Sequence, residues 1–316
     1  MLYMEELVDA IIAEEGQTLM GLEFLTETLN LPMKKIELMF KKALGEYSER
    51  RPMKKTEVFS NYDMDGYITM PEGTTSCRVA RYGVLPNQMP RFYMPKFAEQ
   101  NVEFDPITRR VRVWPPVTPL RLTYTQSYVP TRNVQIQDNI VVPYETDEYD
   151  FTLPTMFAQK TLLIQKSVLV TDPETGEKKT ENLTMVPVNK VEDEDIYGNK
   201  TDQYILEGTL GTGTVDTRTK EVNLQLINTD SGVLFLSYYP KYYVVPEMTL
   251  NDRLFNRMFA WRLITALASL RAQATQEKLH NIDLTSDDLY TRAQELNTEV
   301  RELLRNTISF GDMAPM

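Results

Sequence analysis

The sequence predicts an α+β protein in which helical segments at both ends enclose a β-rich middle. Three observations carry that expectation. Apolar residues recur at helical spacing near the start and again after about residue 250. They alternate with period two between about 56 and 246, and clusters of turn-forming residues punctuate the alternating part. The helical ends, 1–55 and 247–316, are expected to pack together as a bundle. A β-hairpin or β-sheet region, 56–130, and an inserted β-sandwich or barrel-like domain, 131–246, make up the rest.

The first helix is read from Leu7, Val8, Ile11 and Ile12. A second follows Pro32, which suits a first-turn position. Its apolar stripe is Ile36, Met39, Phe40, Ala43 and Tyr47, with Lys34, Lys35, Lys41 and Lys42 turned away, and Pro52 ends it. "RRVRVW", "LRLTYTQSY", "TLLIQKSVLV", "EVNLQLI" and "GVLFLSYY" then read as strands, separated by turns such as "DPETGEK" and "NTDSG". "VEDEDIYGNKTDQ" reads as an acidic loop.

Helix returns near 250. Phe255, Phe259, Leu263, Ala266, Leu267 and Leu270 mark one face, and Leu254, Met258 and Trp261 a neighbouring one. So wide an apolar arc predicts burial on two sides, with Trp261 in the core. Thr285 and Asp288 resemble a capping box, and Leu289, Ala293, Leu296, Val300 and Leu303 follow at 4-3-4-3 spacing. That pattern predicts an antiparallel helix hairpin, or a helix pair shared with a neighbouring copy.

Composition narrows the functional classes. The chain has 316 residues, a net charge of −11 and no Lys/Arg-rich segment, which argues against gripping nucleic acid through its phosphates. Cys77 is the one cysteine, so neither an intrachain disulfide nor a thiolate metal cage can form. His280 is the one histidine, and no Ser, Cys or carboxylate constellation attaches to it by spacing. The acidic start lacks the basic end of a signal peptide, and no apolar run approaches the ~18 residues of a membrane span. A non-enzymatic protein without a cofactor is the expectation.

One stretch imitates a metal site. In "NYDMDGYITMPE", Asn61, Asp63, Asp65 and Glu72 have the ligand spacing of a calcium loop, making them the candidate metal ligands. Such a loop lies between helices, whereas strand-like "KKTEVFS" and "GTTSCRVARYGVL" flank this one. Asp65-Gly66 between "TEVFS" and "YITM" instead reads as a hairpin turn that needs no metal. The glycines of "GTLGTGTVDT" likewise read as a turn, because no Lys-Ser/Thr pair follows them.

Taken together, several stretches resemble bacteriophage head-to-tail adaptor (neck or connector) proteins. The front likeness is a helix ending in Tyr47, Ser48, Arg51 and Pro52, followed by Gly66, Tyr67, Ile68, Met70, Pro71, Glu72 and Gly73. "FAWRLITALASLRAQ…DLTSDDLYTRAQELNTEVRELLRNT" is similar to the paired closing helices of the class. "FDPITRRVRVWPP" and "GTVDTRTKEVNLQLINTDSGVLFLSYY" resemble β-hairpin units of phage virion proteins. The resemblance spans roughly 40–125 and 250–306, with a looser likeness over 205–240; the long β insert departs from compact adaptors.

The resemblance implies an adaptor-like helical bundle in a structural virion protein assembled in the host cytoplasm. It implies a homo-oligomeric ring, roughly a dodecamer, beneath the portal protein, offering a platform to the next neck or tail protein. Genomic DNA would pass through the ring without specific binding, and no membrane is involved. Residues expected at its interfaces are Phe259, Trp261, Leu296, Val300, Phe310, Met313 and Met316. The alternatives are a tail or baseplate protein with a β attachment domain, or, in another class, a calcium- or glycan-binding β module.

Overall fold

The computed structural model describes residues 1–14, 22, 25–26, 30–82, 102–113, 120–144, 146–171, 177–194, 200–227, 232–273 and 285–311. His280, Met313, Met316 and the turn centres at 172–176 and 228–231 lie outside them. The chain forms two compact units, Met1–Phe40 with Pro130–Asn306, and Lys41–Val129 with Thr307–Met316. These divisions fall at 40, 129 and 306, where the sequence pattern draws its lines at 55, 130 and 246.

In the first unit, β1 (Leu2–Tyr3) leads straight into α1 (Met4–Glu14), whose Met4, Leu7, Val8, Ile11 and Ile12 form the buried stripe. α2 (Met33–Arg50) begins after Pro32, which stands at the cap: its carbonyl accepts from the Lys35 and Ile36 amides at 2.7 and 3.3 Å. Ile36 and Phe40 are buried, and the lysines are exposed as the stripe requires.

The second unit opens with β2 (Met53–Phe59), β3 (Tyr67–Thr69) and β4 (Thr74–Tyr82), followed by β5 (Val102–Asp105), β6 (Arg110–Val113) and β7 (Leu120–Gln126). They make two three-stranded sheets, β2-β7-β4 and β3-β6-β5. Ile68, Met70 and Val111 of one meet Leu120, Leu122 and Tyr124 of the other in one buried cluster. The expected hairpin of "TEVFS" and "YITM" therefore does not form. The turn at Gly66 exists, but β2 pairs with β7 and β3 with β6, which puts Ile68 in the buried cluster while β2 adds only the half-buried Phe59.

Back in the first unit, β8 (Ile136–Val142), β9 (Glu148–Thr152), β10 (Leu163–Thr171), β11 (Lys178–Glu194) and β12 (Lys200–Gly208) are joined by β13 (Gly211–Asp216), β14 (Glu221–Leu226) and β15 (Gly232–Tyr238). All eight form one antiparallel sheet in the order β8-β15-β10-β11-β12-β13-β14-β9. It curls into a nearly closed barrel. At the seam the edge strands approach, and the Tyr149 hydroxyl donates to the Val141 carbonyl at 3.4 Å. Ile164, Met185, Leu206, Val222, Leu224, Leu234 and Leu236 fill the inside at alternate positions. Of the expected acidic loop, Val191–Glu194 belongs to β11 and Asp202 to β12, where Asp202 pairs with Lys190.

β16 (Val244–Val245) pairs with β1 and delivers the chain to α3 (Arg253–Gln273), capped by Asp252, whose carboxylate accepts from the Phe255 amide at 3.0 Å. α4 (Ser286–Gly311) follows, and its capping box closes as the sequence predicts: the Asp288 amide donates to Thr285 Oγ1 at 3.2 Å and the Thr285 amide to Asp288 Oδ2 at 3.1 Å. α3 and α4 run antiparallel, linked by Arg257 to Glu299 at 3.2 Å and by Ser269 to Tyr290 at 3.1 Å. α3 also meets α1 through Arg257 and Glu14, and α2 through Phe40, whose ring stands edge-on to Phe255 and Phe259 at 5.5 and 5.4 Å. Helices from both ends of the chain thus gather round α3. Phe40→Ala should cost about 3–5 kcal/mol, read as a lowered midpoint in denaturant unfolding of the full chain.

Candidate functional site

The acidic turn at 61–72 is held by its own backbone and by one arginine. Asp63 Oδ1 accepts from the Asp65 and Tyr67 amides at 3.1 and 2.8 Å, and the Gly66 amide closes the turn on the Asp63 carbonyl at 3.0 Å. Gly66 sits at φ 79°, a region that favours glycine. Arg110 of β6 reaches Asp63 and Asp65 at 3.6 and 3.9 Å and lies 5.8 Å from the Tyr67 ring centre. Glu72 belongs to the next turn. Among the described residues no three acidic, histidine or cysteine side chains converge, so Asp63, Asp65 and Glu72 are not brought together as ligands.

The residues that carry the adaptor resemblance also serve architecture. Ser48 Oγ donates to the Leu44 carbonyl at 2.7 Å and accepts from the Tyr128 amide at 3.1 Å, while Tyr47 packs on Tyr128 with ring centres 5.4 Å apart. Gly73, at φ 80°, lies so close to Ser127 and Val129 that an added Cβ would meet both at 3.0 Å. Its carbonyl accepts from the Ser127 amide at 2.8 Å.

A buried polar cluster joins α1 to the barrel, and the sequence pattern gives no sign of it. Glu5, only 2% exposed, accepts from Thr155 Oγ1 at 2.8 Å and from the Met156 amide at 2.7 Å. One turn on, Asp9 pairs with Lys220. Lys220 occupies the left-handed region at φ 61° in the β13–β14 turn, where Asp216 Oδ1 accepts from the Arg218 and Thr219 amides at 2.8 and 2.7 Å. A non-glycine residue there costs about 1–2 kcal/mol; the lysine offsets that by delivering its ammonium to the acids of α1. Burial pushes the Glu5 carboxyl up to about 7. Lys220, the Met156 amide and the Thr155 hydroxyl oppose that shift, and Asp9 adds to it. Burial alone would pull Lys220 down, yet Glu5, Asp9 and Glu6 hold it above its ordinary value. Tyr238 is raised first by burial and then by Tyr3 and Glu5.

The helix residues expected at partner interfaces are placed differently. Phe259, Leu296 and Val300 are buried within one copy, so they offer no surface to another. Trp261 is half-buried rather than core, with the Arg262 guanidinium 4.9 Å from its ring centre, and Leu270 is also half-buried. Phe310 falls within α4, but its side chain, like Met313 and Met316, lies outside the described part. α3 does carry apolar residues on two sides, and most of them, such as Leu254, Phe255, Met258, Phe259, Leu263 and Leu267, are buried within its own chain.

The outer face of the barrel divides by charge. Residues paired across strands share a face, so the register defines each row. Gln137, Asn139 and Val141 of β8 lie opposite Ser237, Phe235 and Val233 of β15. The same side continues through Leu163, Gln165, Ser167 and Leu169 of β10 and ends on Thr184, Asn182 and Thr180 of β11. None of these is charged; the first charge on that side is Lys178, opposite Thr171 at the hairpin tip. The other half reads Glu148-Gln225-Thr212-Glu207 in one row and Asp150-Asn223-Thr214-Ile205 in the next. Asp216 and Glu221 extend its acidity, and no Lys or Arg stands at the paired outward positions of β9, β12, β13 and β14 among the described residues. An open depression of about 490 Å³ lies along this acidic half.

Two outcomes follow from this geometry. Calorimetry with millimolar calcium should give no binding heat, because Asp63, Asp65 and Glu72 do not converge and Arg110 stands beside the two aspartates. Glu5 binds its proton more tightly in the folded chain than at its ordinary value of 4.5, so its contribution to stability is complete below pH 4.5 and fades as pH rises through about 7. At ~1.4 kcal/mol for each tenfold gain in proton affinity, that contribution is about 3 kcal/mol. Glu5→Gln should flatten the dependence of melting temperature on pH, and Lys220→Met should move it to higher pH. Comparison with protein families, with curated proteins and with solved structures finds no match for this chain.

Proposed function

We propose that this chain is a structural, non-enzymatic protein of a tailed bacteriophage, forming a ring in the neck between portal and tail. The observation that supports the reading is what the residues of the adaptor resemblance do in the fold. Tyr47, Ser48, Gly66 and Gly73 all act as packing or turn devices, as residues of a scaffold motif would. In finer terms the gathering of helices round α3 is the adaptor-like bundle, and the barrel is the domain inserted into it.

The acidic half of the barrel suits a place beside packaged DNA, since like charge repels phosphate and favours passage over grip. No helix among the described residues is long and apolar enough to cross a membrane. In this reading the ring is roughly dodecameric, meets the portal protein on one side and the next neck or tail protein on the other, and resides in the virion after assembly in the host cytoplasm. A second station, tail or baseplate, is favoured by one feature: the size of the eight-stranded sheet relative to the helical part.

Negative-stain microscopy of purified protein at high concentration should show rings. Particles made without the protein should yield filled heads that fail to join tails. Normal joining in its absence overturns the neck assignment, and recovery of the protein in isolated tails but not in tail-less heads moves it to the second station.

A further inference from the structure

The division of the barrel surface carries an inference about self-association. We propose that the uncharged half, formed by β8, β15, β10 and the β11 residues paired to it, is the surface on which a second copy of this chain docks. The inference rests on the self-assembly part of the connector reading and adds the surface that reading lacks.

Two observations support it, and a third bounds its strength. First, the face presents large apolar side chains to solvent: Val141 is 71% exposed, Phe235 47% and Val233 37%, side by side in the register of β8 and β15. Contiguous exposed apolar groups of this kind mark interaction surfaces. Second, charge permits a second copy here and disfavours a basic partner. With a net charge of −11, two copies repel wherever charged surfaces meet, and this face avoids that cost. A basic partner would be drawn instead to the half bearing Glu148, Asp150, Glu207 and Glu221. Third, the size sets the strength. Four strands about 4.8 Å apart, with outward residues over about 20 Å, offer roughly 400 Å² of projected face. A stable interface covers about 800 Å² per partner. The contact is therefore weak alone and gains strength when other contacts hold the copies in place.

The test is sedimentation velocity of the full chain from low to high micromolar concentration. The wild-type chain should gain mass with concentration. Phe235→Glu and, as a milder change at an exposed polar position, Asn139→Lys should raise the midpoint of association about tenfold or more. Asp150→Lys on the acidic half should leave the midpoint unchanged. Far-UV circular dichroism and melting check that each variant is folded. Association of wild type and both face variants with one midpoint overturns this surface while leaving self-assembly standing. A wild-type chain that stays monomeric throughout overturns both, and leaves the face to a different protein.

Discussion

The buried carboxylate of Glu5 is the constraint around which the larger unit is organised. A charged group taken out of water costs several kcal/mol unless hydrogen bonds and a counter-charge replace the solvent. Here Thr155 and Met156 supply hydrogen bonds and Lys220 a nearby counter-charge, which offset only part of that cost, so the carboxyl is still pushed up to about 7. Those partners come from two separate stretches, the segment after β9 and the β13–β14 turn, so α1 can be satisfied in one position only. The pairing of β1 with β16 sets where α1 begins, and β16 in turn leads into α3. The left-handed turn at Lys220 is the local strain this arrangement requires, in keeping with strain that persists where surrounding structure over-determines it.

With α1 fixed, the apolar surplus of the terminal helices finds its cover within the chain. α3 is apolar on two sides because it is central, meeting α1, α2 and α4. Among the described residues, the larger group of exposed apolar side chains lies on the sheet, with Leu38 and Tyr290 exposed on the helices. Alternation with period two puts half of every strand outside the barrel. The content of those outer positions, uncharged on one side and acidic on the other, separates a face that can meet a copy of itself from one that repels it.

The smaller unit shows how far a linear motif can mislead. Asp63, Asp65 and Glu72 have the spacing of ligands, but spacing along the chain does not fix where carboxylates point. The backbone of the turn takes one oxygen of Asp63, and Arg110, from a strand distant in sequence, reaches its other oxygen and Asp65. A calcium loop needs oxygens free to converge; this one has its own amides and a guanidinium instead.

The elements themselves were legible in the chain. The stripes of α1, α2 and α3, the capping box of Thr285 and Asp288, the turns at Gly66 and between β12 and β13, and the switch from period 3.6 to period two are local properties of neighbouring residues, so they can be read without a fold. The choice of partners was not. Folding sent β2 and β3 to different sheets, left Trp261 half-exposed, buried Phe259, Leu296 and Val300 inside one copy, and aimed Lys220 at Glu5 and Asp9. Those outcomes depend on which distant surfaces meet, and a polar group's cost is set by the solvent it loses there, a quantity that no spacing along the chain records.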